Sequence, residues 1–178
     1  MNYEFFNRIE MKNILFAIII FSFQTSFCQS SFHEKKIPKK ISVLCDSLVK
    51  IDKIEGRFIG VAGSQSESWM FYEKLRKKTS SKVLFELTNH PNHIIRYYSF
   101  QALLNKKSKL LIKAIKKNEN DTIKIRSQSG CIIFSSFLIE QIIESTLICE
   151  NIKYWLDPKE IEYLTKLSEK YSKNDKSK

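Results

Sequence analysis

One short segment of this chain carries side chains that could act as nucleophiles. The residues Ser-Gln-Ser-Gly-Cys at 127–131 offer the Ser129 hydroxyl and the Cys131 thiol, and His90 could serve as their base. Nothing in the spacing of these residues along the chain supports such a pairing. We therefore interpret 127–131 as a junction between helices, with Cys131 packed inside the protein.

A glycine pair in the loop 60–68 is the second candidate motif. The stretch Gly-Val-Ala-Gly at 60–63 has a GxxG spacing, and glycine-rich loops can cradle phosphate with their backbone N–H groups. A lone GxxG is a weak signal, and we expect these glycines to let a loop turn. The chain has no GxSxG, HExxH, GxGxxG or phosphate-binding-loop motif. The sequence therefore predicts no catalytic residue and no enzymatic activity.

Histidine and cysteine are too sparse and too scattered to predict a metal site. The chain has three His and four Cys, and no two cysteines have a CxxC spacing. If Cys28 is removed with a signal peptide, three cysteines remain in an oxidising compartment: Cys45, Cys131 and Cys149. One disulfide plus one thiol, or three buried thiols, both fit this number. No metal ion and no cofactor are predicted.

Length and composition limit the classes of protein to consider. The chain has 178 residues, 43% of them apolar, with four Gly and three Pro. This predicts one ordinary domain and excludes collagen-like and wholly disordered chains. The formal net charge is +11, and lysine supplies nearly all of the positive charge. Since arginine is the preferred residue for bidentate phosphate contacts, we do not expect a nucleic-acid partner.

The N-terminal residues 1–28 have the pattern of a secretory signal peptide. The cationic Lys12 precedes an apolar run at 14–23, and the small side chains of Ser26 and Cys28 favour cleavage after Cys28. The apolar run is about half as long as a membrane-spanning helix. We therefore expect an exported protein, periplasmic or extracellular, with no permanent membrane span after cleavage.

Three alternatives for this segment stay open. Met11 followed by Lys12 resembles a natural start, in which case residues 1–10 are an upstream extension. The signal could also be retained as a membrane anchor. In a third alternative Cys28 is acylated as in a lipoprotein, although Phe27 is a poor residue before a lipid-modified cysteine.

Apolar residues recur at three- and four-residue steps along most of the remaining chain, which predicts a series of short helices. Ser66 or Ser68 and Asn92 are candidate N-caps, and Asp-Pro-Lys-Glu at 157–160 has the pattern of a capping box. The predicted helices span about 37–53, 69–76, 83–87, 92–105, 109–117, 132–149 and 158–171.

Other segments fit this pattern less well. Residues 55–68 carry three glycines and predict a loop or at most one short extended segment. Ile123 and Ile125 alternate with polar residues as in a strand, but their position favours the start of another helix. The segment 132–149 is ambiguous between strand and helix, and its length favours helix. Residues 172–178 predict a disordered basic tail.

An internal repeat organises these predicted helices. A helix, a polar turn with Asn, and an arginine after a β-branched residue occur in this order twice, ending at Arg96 and at Arg126, 30 residues apart. This order is typical of a HEAT-like helical hairpin. Such hairpins stack to bury their apolar faces, and an amide or carboxylate in one turn can meet an arginine of the next unit. The predicted fold is therefore a single all-α domain over 37–171, made of short stacked helical hairpins as in a fragment of an α-solenoid.

Four motifs between Gly56 and Cys131 carry a resemblance to a known group of proteins. They are Phe-Ile-Gly-Val-Ala-Gly-Ser at 58–64, Leu-Thr-Asn-His-Pro-Asn at 87–92, Ile-Arg-Tyr-Tyr-Ser-Phe-Gln-Ala-Leu at 95–103 and Ser-Gln-Ser-Gly-Cys at 127–131. On these motifs the chain resembles an uncharacterised group of secreted bacterial proteins with HEAT-like repeats. The resemblance covers under half of the chain. It implies a stacked-helix fold and carries over no activity.

The sequence as a whole predicts an exported, non-enzymatic protein-interaction or scaffold module. Its stacked hairpins would present a groove to a protein or peptide partner, with Arg96, Tyr97 and Arg126 as polar contacts. The alternative is an exported small-ligand-binding protein or enzyme that uses the loop 60–68 and the junction 127–131. This alternative predicts that the two segments converge on one concave site with perturbed pKa values.

Overall fold

A four-stranded mixed sheet stands among the helices of this protein. The structure is a computed structural model that describes residues 37–175. Within this range the chain forms, in order, α1 (Lys39–Ile51), β1 (Ile54–Ile59), β2 (Ser64–Gln65), α2 (Glu67–Lys78), α3 (Ser81–Leu87), α4 (His93–Asn105), α5 (Leu110–Lys117), β3 (Lys124–Gly130), β4 (Ile132–Phe137), α6 (Leu138–Leu147), a 3-10 turn (Ile152–Tyr154) and α7 (Pro158–Asp175). The predicted signal peptide, residues 1–28, lies outside the described residues.

The sheet shows that the predicted all-α fold is wrong. Its strand order is β2-β1-β3-β4, with β1 antiparallel to β2 and parallel to β3, and with β3 antiparallel to β4. A parallel pair needs a long crossover between its strands, and helices α2 to α5 supply the one from β1 to β3. The fold is mixed α/β, and the HEAT-like stack of hairpins predicted for 37–171 is not present in it.

The supposed internal repeat fails at its second unit. Arg96 lies in helix α4, whereas Arg126 lies in strand β3, so the two arginines occupy unrelated places. A contact between an arginine and a turn does form, but it joins the turn of the second unit to the arginine of the first unit, the reverse of the predicted order. Arg96 forms an ion pair with Asp121, in the turn that follows α5.

The segment 55–68 forms most of a β-hairpin rather than a loop with one extended segment. Strand β1 pairs with β2 through Phe58 opposite Gln65 and Ile59 opposite Ser64. Gly60 and Gly63 in the turn have φ of 70° and 64°, a left-handed conformation that glycine adopts freely. The expectation that these glycines let the chain turn is confirmed.

Strand β3 replaces the helix predicted to begin near Ile123. Its side chains alternate, with Ile125 and Ser127 buried and Lys124 and Arg126 exposed, which is the pattern of a strand with one face on the core. The alternation of Ile123 and Ile125 with polar residues was a correct signal for a strand, and the position between predicted helices was the wrong reason to expect a helix here.

Strand β4 occupies the first six residues of the predicted helix 132–149. The tight turn from β3 to β4 is made by Gly130, the last residue of β3, and Cys131, and it is closed by the pair of Ser129 and Ile132. Gly130 has φ of 57° at the first loop position, where a tight hairpin favours glycine. Cys131 is exposed at the hairpin tip, so its predicted place inside a helix junction is wrong. The second part of the predicted helix 132–149 is confirmed as α6, which begins at Leu138.

Several predicted helix starts are confirmed by their caps. Ser66 Oγ accepts the N–H of Trp69 at 3.1 Å, and Asn92 Oδ1 accepts the N–H of Ile94 at 2.9 Å. At the start of α7 the capping box forms in both directions. Its N–H···O distances are 2.8 Å to Asp157 Oδ1 and 3.1 Å to Glu160 Oε2.

Helix α7 continues to Asp175, four residues into the segment predicted as a tail. Among the described helices, none combines the length and the apolar character that crossing a membrane requires.

Helix α4 lies at the centre of the core and holds β1 in place. Nine of its 13 residues are buried, and it packs against α1, α2, α3, α5 and α6. The hydroxyl of the buried Tyr98 accepts the backbone N–H of Glu55 at 2.9 Å and lies within 3.2 Å and 3.4 Å of the carbonyls of Glu55 and Lys53. One side chain of α4 thus hydrogen-bonds the backbone at the start of the sheet.

We expect Tyr98→Phe to lower the free energy of unfolding by about 1–3 kcal/mol, because it leaves the buried Glu55 N–H without an acceptor. Urea denaturation followed by circular dichroism measures the change. The matched control is Tyr154→Phe, since Tyr154 is 86% exposed and its change should stay within about 0.5 kcal/mol. Equal stability of the two variants would contradict the role of Tyr98.

Two buried groups, the Cys45 thiol and the Tyr72 hydroxyl, predict that the protein loses stability at alkaline pH. Burial raises the pKa of the Cys45 thiol to about 12 and that of the Tyr72 hydroxyl to about 12. The unfolded chain releases the same protons near pH 8.5 and near pH 10, so above these values it binds fewer protons than the folded chain. The stabilising contribution is complete below about pH 8.5 and is lost progressively up to about pH 12.

Between pH 8.5 and pH 10.5 we expect Cys45 alone to account for a decrease of about 2 kcal/mol in the free energy of unfolding. Urea denaturation across this range measures it. The variant Cys45→Ala should show a flatter pH profile than the parent chain. An unchanged slope in that variant would refute the assignment.

Candidate functional site

The most enclosed concave site that we describe lies between the sheet and helices α2, α4 and α6. Its volume is about 140 Å³. Four aromatic side chains line it, and they come from three elements: Trp69 from α2, Tyr97 and Tyr98 from α4, and Phe134 from β4. We call this site the aromatic cavity.

A continuous row of ring contacts fixes the walls of the aromatic cavity. Trp69 and Tyr72 have ring centroids 4.8 Å apart, Tyr72 stacks on Tyr98 at 5.2 Å, and Tyr97 meets Tyr98 edge to face at 5.4 Å. These separations are the ones that favourable aromatic pairs adopt. The row is anchored by Tyr98, which is also hydrogen-bonded to β1.

Neutral amides and hydroxyls supply most of the polar lining of the aromatic cavity. Gln141 Nε2 donates to Ser127 Oγ at 2.8 Å, and Gln101 Nε2 donates to the Tyr97 hydroxyl at 3.4 Å. Burial raises the pKa of Tyr97 to about 12, so this hydroxyl keeps its proton at neutral pH. No lysine or arginine is among the side chains that line this cavity.

Glu55, a buried acidic residue, is among the residues that line the aromatic cavity. It is 7% exposed, and its Oε2 accepts the hydroxyls of Ser66 at 2.8 Å and Ser68 at 3.5 Å. Ser66 is also the N-cap of α2, so the carboxylate lies near the positive end of that helix dipole. Within residues 37–175 no cationic side chain forms an ion pair with Glu55.

The second candidate feature is the outer edge of the sheet, strand β4, which we call the open edge. Its first three residues are large and apolar, and Ile132, Ile133 and Phe134 are 61%, 50% and 46% exposed. The strand, Ile-Ile-Phe-Ser-Ser-Phe, contains no charge and no proline. At the opposite edge, β2 has only two residues. Edge strands are normally protected by shortness, charge or proline, and β4 has none of these.

Cationic side chains lie beside the open edge on the neighbouring strand. Arg126 of β3 is exposed and stands opposite Ser135 of β4. Lys124 stands opposite Phe137, with its Nζ 5.2 Å from the ring centroid. Arg126 also lines a shallow cleft of about 270 Å³ together with Ile133.

The structure does not bring the three predicted contact residues together. Arg96 is buried, where it pairs with Asp121 and donates to Asn118 Oδ1 at 3.5 Å, and burial lowers its pKa. Tyr97 lines the aromatic cavity, and Arg126 lies beside the open edge. Their role in partner binding stays a prediction, and Arg96 is the one whose charged group is engaged inside the fold.

The loop 60–68 and the segment 127–131 meet at one point. The Gly60 N–H donates to the Gly130 carbonyl at 3.0 Å. The loop tip points into solvent, since Val61 is 97% exposed, and only residues 127–129 of the second segment line the aromatic cavity. His90 Nδ1 accepts the N–H of Asn92 in the turn before α4.

The cysteines and the metal-ligand side chains form no further site in the described residues. Cys45, Cys131 and Cys149 are free thiols, and only Cys45 is fully buried. Across 37–175 no three His, Cys, Asp or Glu side chains come together as metal ligands would.

Sequence reasoning missed Glu55, Gln101, Gln141 and Phe134 as parts of a site. A signal for one of them was present, since Gln101 follows Tyr97 by four residues and i,i+4 neighbours share a helix face. The other three could not be found without knowing that β1, β4 and α6 meet.

Comparisons of the chain with family models, with curated proteins and with solved structures gave no match. The function must therefore be argued from the site itself.

We expect Arg96→Met to lower the free energy of unfolding by about 3–5 kcal/mol, because it leaves the carboxylate of Asp121 buried without its cation. Asp121→Asn should also destabilise the protein. The matched control is Arg126→Met at an exposed position, which should change stability by no more than about 0.5 kcal/mol. Chemical denaturation of the three variants decides the matter, and a stable Arg96→Met protein would contradict the structural role.

Proposed function

We propose that this protein is an exported, non-enzymatic binding module that takes up an extended segment of a partner protein at the open edge. The observation that carries the proposal is the unprotected, apolar strand β4. An edge strand presents unpaired backbone N–H and C=O groups, and an extended peptide can add to them as a further strand.

The exposed side chains of the open edge supply the apolar part of the contact. Ile132, Ile133 and Phe134 are each about half exposed, although large apolar side chains are usually covered when they cluster. Strand addition would bury them against alternate side chains of the incoming segment. Backbone hydrogen bonds then supply affinity, and the side chains supply specificity.

Charge favours an acidic partner segment over a second copy of this chain. Neighbouring strands are about 4.8 Å apart, and the short side chain of Ser135 leaves room for Arg126 to reach across β4 to a carboxylate on the added strand. Lys124 contributes a second positive charge on the same strand. Two copies of this chain would instead bring together two molecules that each carry a net charge of +11.

The test uses the full chain and two blocked synthetic peptides about as long as β4. One alternates valine with glutamate, and the other alternates valine with lysine. We expect the glutamate peptide to bind at least about tenfold more tightly, measured by fluorescence anisotropy, and to slow amide hydrogen exchange in β4. Ile133→Lys should weaken its binding, whereas Val61→Lys, at an exposed loop position, should not.

Charge reversal provides the sharper control. In Arg126→Glu the preference should shift toward the lysine peptide, because the cation beside the added strand is replaced by a carboxylate. Equal binding of the two peptides to the parent chain would overturn the proposal. So would sedimentation of the free chain as a dimer with β4 already protected from exchange, since the second copy would then be the occupant.

A further inference from the structure

We infer that the aromatic cavity is a binding site for a compact organic cation, of the class of alkylammonium and quaternary ammonium headgroups. This site borders the open edge and shares Phe134 with it, but the inference concerns a different ligand and goes beyond the proposed uptake of a peptide. Two independent features carry it: the set of aromatic rings and the buried carboxylate of Glu55.

Several aromatic side chains around one cavity are a common feature of sites that bind organic cations. A cation is attracted to the face of an aromatic ring when it lies within about 6 Å of the centroid, and tryptophan is the strongest partner. Trp69, Tyr97, Tyr98 and Phe134 line one cavity from three different elements. Tyr97 and Tyr98 meet edge to face with an angle of 73° between their planes, so the two rings do not lie in one plane.

Glu55 supplies the charge that such a ligand would neutralise. Glu55 is 7% exposed, and buried charged groups in proteins are usually paired with a group of opposite charge. The described residues give it two serine hydroxyls on one oxygen and no ion pair. A cation bound in the cavity would supply Glu55 with a partner of opposite charge. The absence of Lys and Arg from the lining leaves this place to a ligand.

The size of the cavity limits the ligand to a headgroup. Its volume of about 140 Å³ is below the roughly 300–1,000 Å³ of sites for drug-sized ligands. The remaining lining of glutamine amides and serine hydroxyls can accept N–H groups or accommodate a neighbouring hydroxyl. An anionic ligand would face Glu55 without a compensating cation.

The experiment compares choline with 3,3-dimethylbutan-1-ol, in which carbon replaces the quaternary nitrogen. The two molecules have nearly the same shape, so the difference between them isolates the charge. We expect choline to shift the indole N–H resonance of Trp69 saturably, and the neutral analogue to bind at least about tenfold more weakly. The protein has two tryptophans, and Trp155→Phe identifies the Trp69 signal.

Variants locate the site and distinguish the binding of choline from the binding of a peptide at the open edge. Glu55→Gln keeps an acceptor for Ser66 but removes the charge, and it should weaken choline binding about tenfold while leaving the neutral analogue unaffected. Tyr154→Leu, at an exposed position, should change neither, and Ile133→Lys should bind choline as the parent chain does.

Equal affinity for choline and its neutral analogue would overturn the inference, as would the lack of any saturable shift of Trp69. Neither result depends on whether the acidic peptide binds at β4. Because the comparison of the two ligands uses the parent chain, the inference is tested even if a variant fails to fold.

Discussion

The hydrogen bonds between Tyr98 and the start of β1 join the central helix α4 to the sheet. They join the most buried helix to the first strand, 43 residues earlier in the chain. A buried backbone N–H must find an acceptor, so this pairing fixes where the sheet lies against the helices. The ring of Tyr98 is then held against Tyr72 and Tyr97, and the same contact that positions the sheet also builds the wall of the aromatic cavity.

Helix α4 contributes both to the core and to the lining of the aromatic cavity. It is apolar nearly all round because it is packed by helices on several sides. On it, Arg96 is committed to an ion pair with the turn after α5, while the next residue, Tyr97, faces the cavity. Adjacent residues on a helix point about 100° apart, and here that difference separates an internal contact from a candidate ligand contact.

Local signals predicted the helices well and the sheet poorly. Ser66, Asn92 and the capping box at Asp157 act within one turn of chain, so their meaning does not depend on distant residues. Strands β1 and β3 pair across a crossover of four helices, and no local pattern states which segments will meet. The alternation at Ile123 and Ile125 and the β-branched start of β4 were visible in the sequence, but only the pairing of β3 with β1 and β4 shows that these segments are strands. The same reason kept Glu55 and Gln141 from being recognised as parts of one cavity.

The two edge strands of the sheet differ in length, and this difference determines at which edge another strand can pair. With β2 reduced to two residues, growth of the sheet is possible on the β4 side alone. Under the proposed function, each molecule then offers one sheet edge to an incoming strand. Two copies that paired through β4 would leave only their two-residue β2 strands at the outer edges, so such a pairing would close as a dimer and would not continue into a filament.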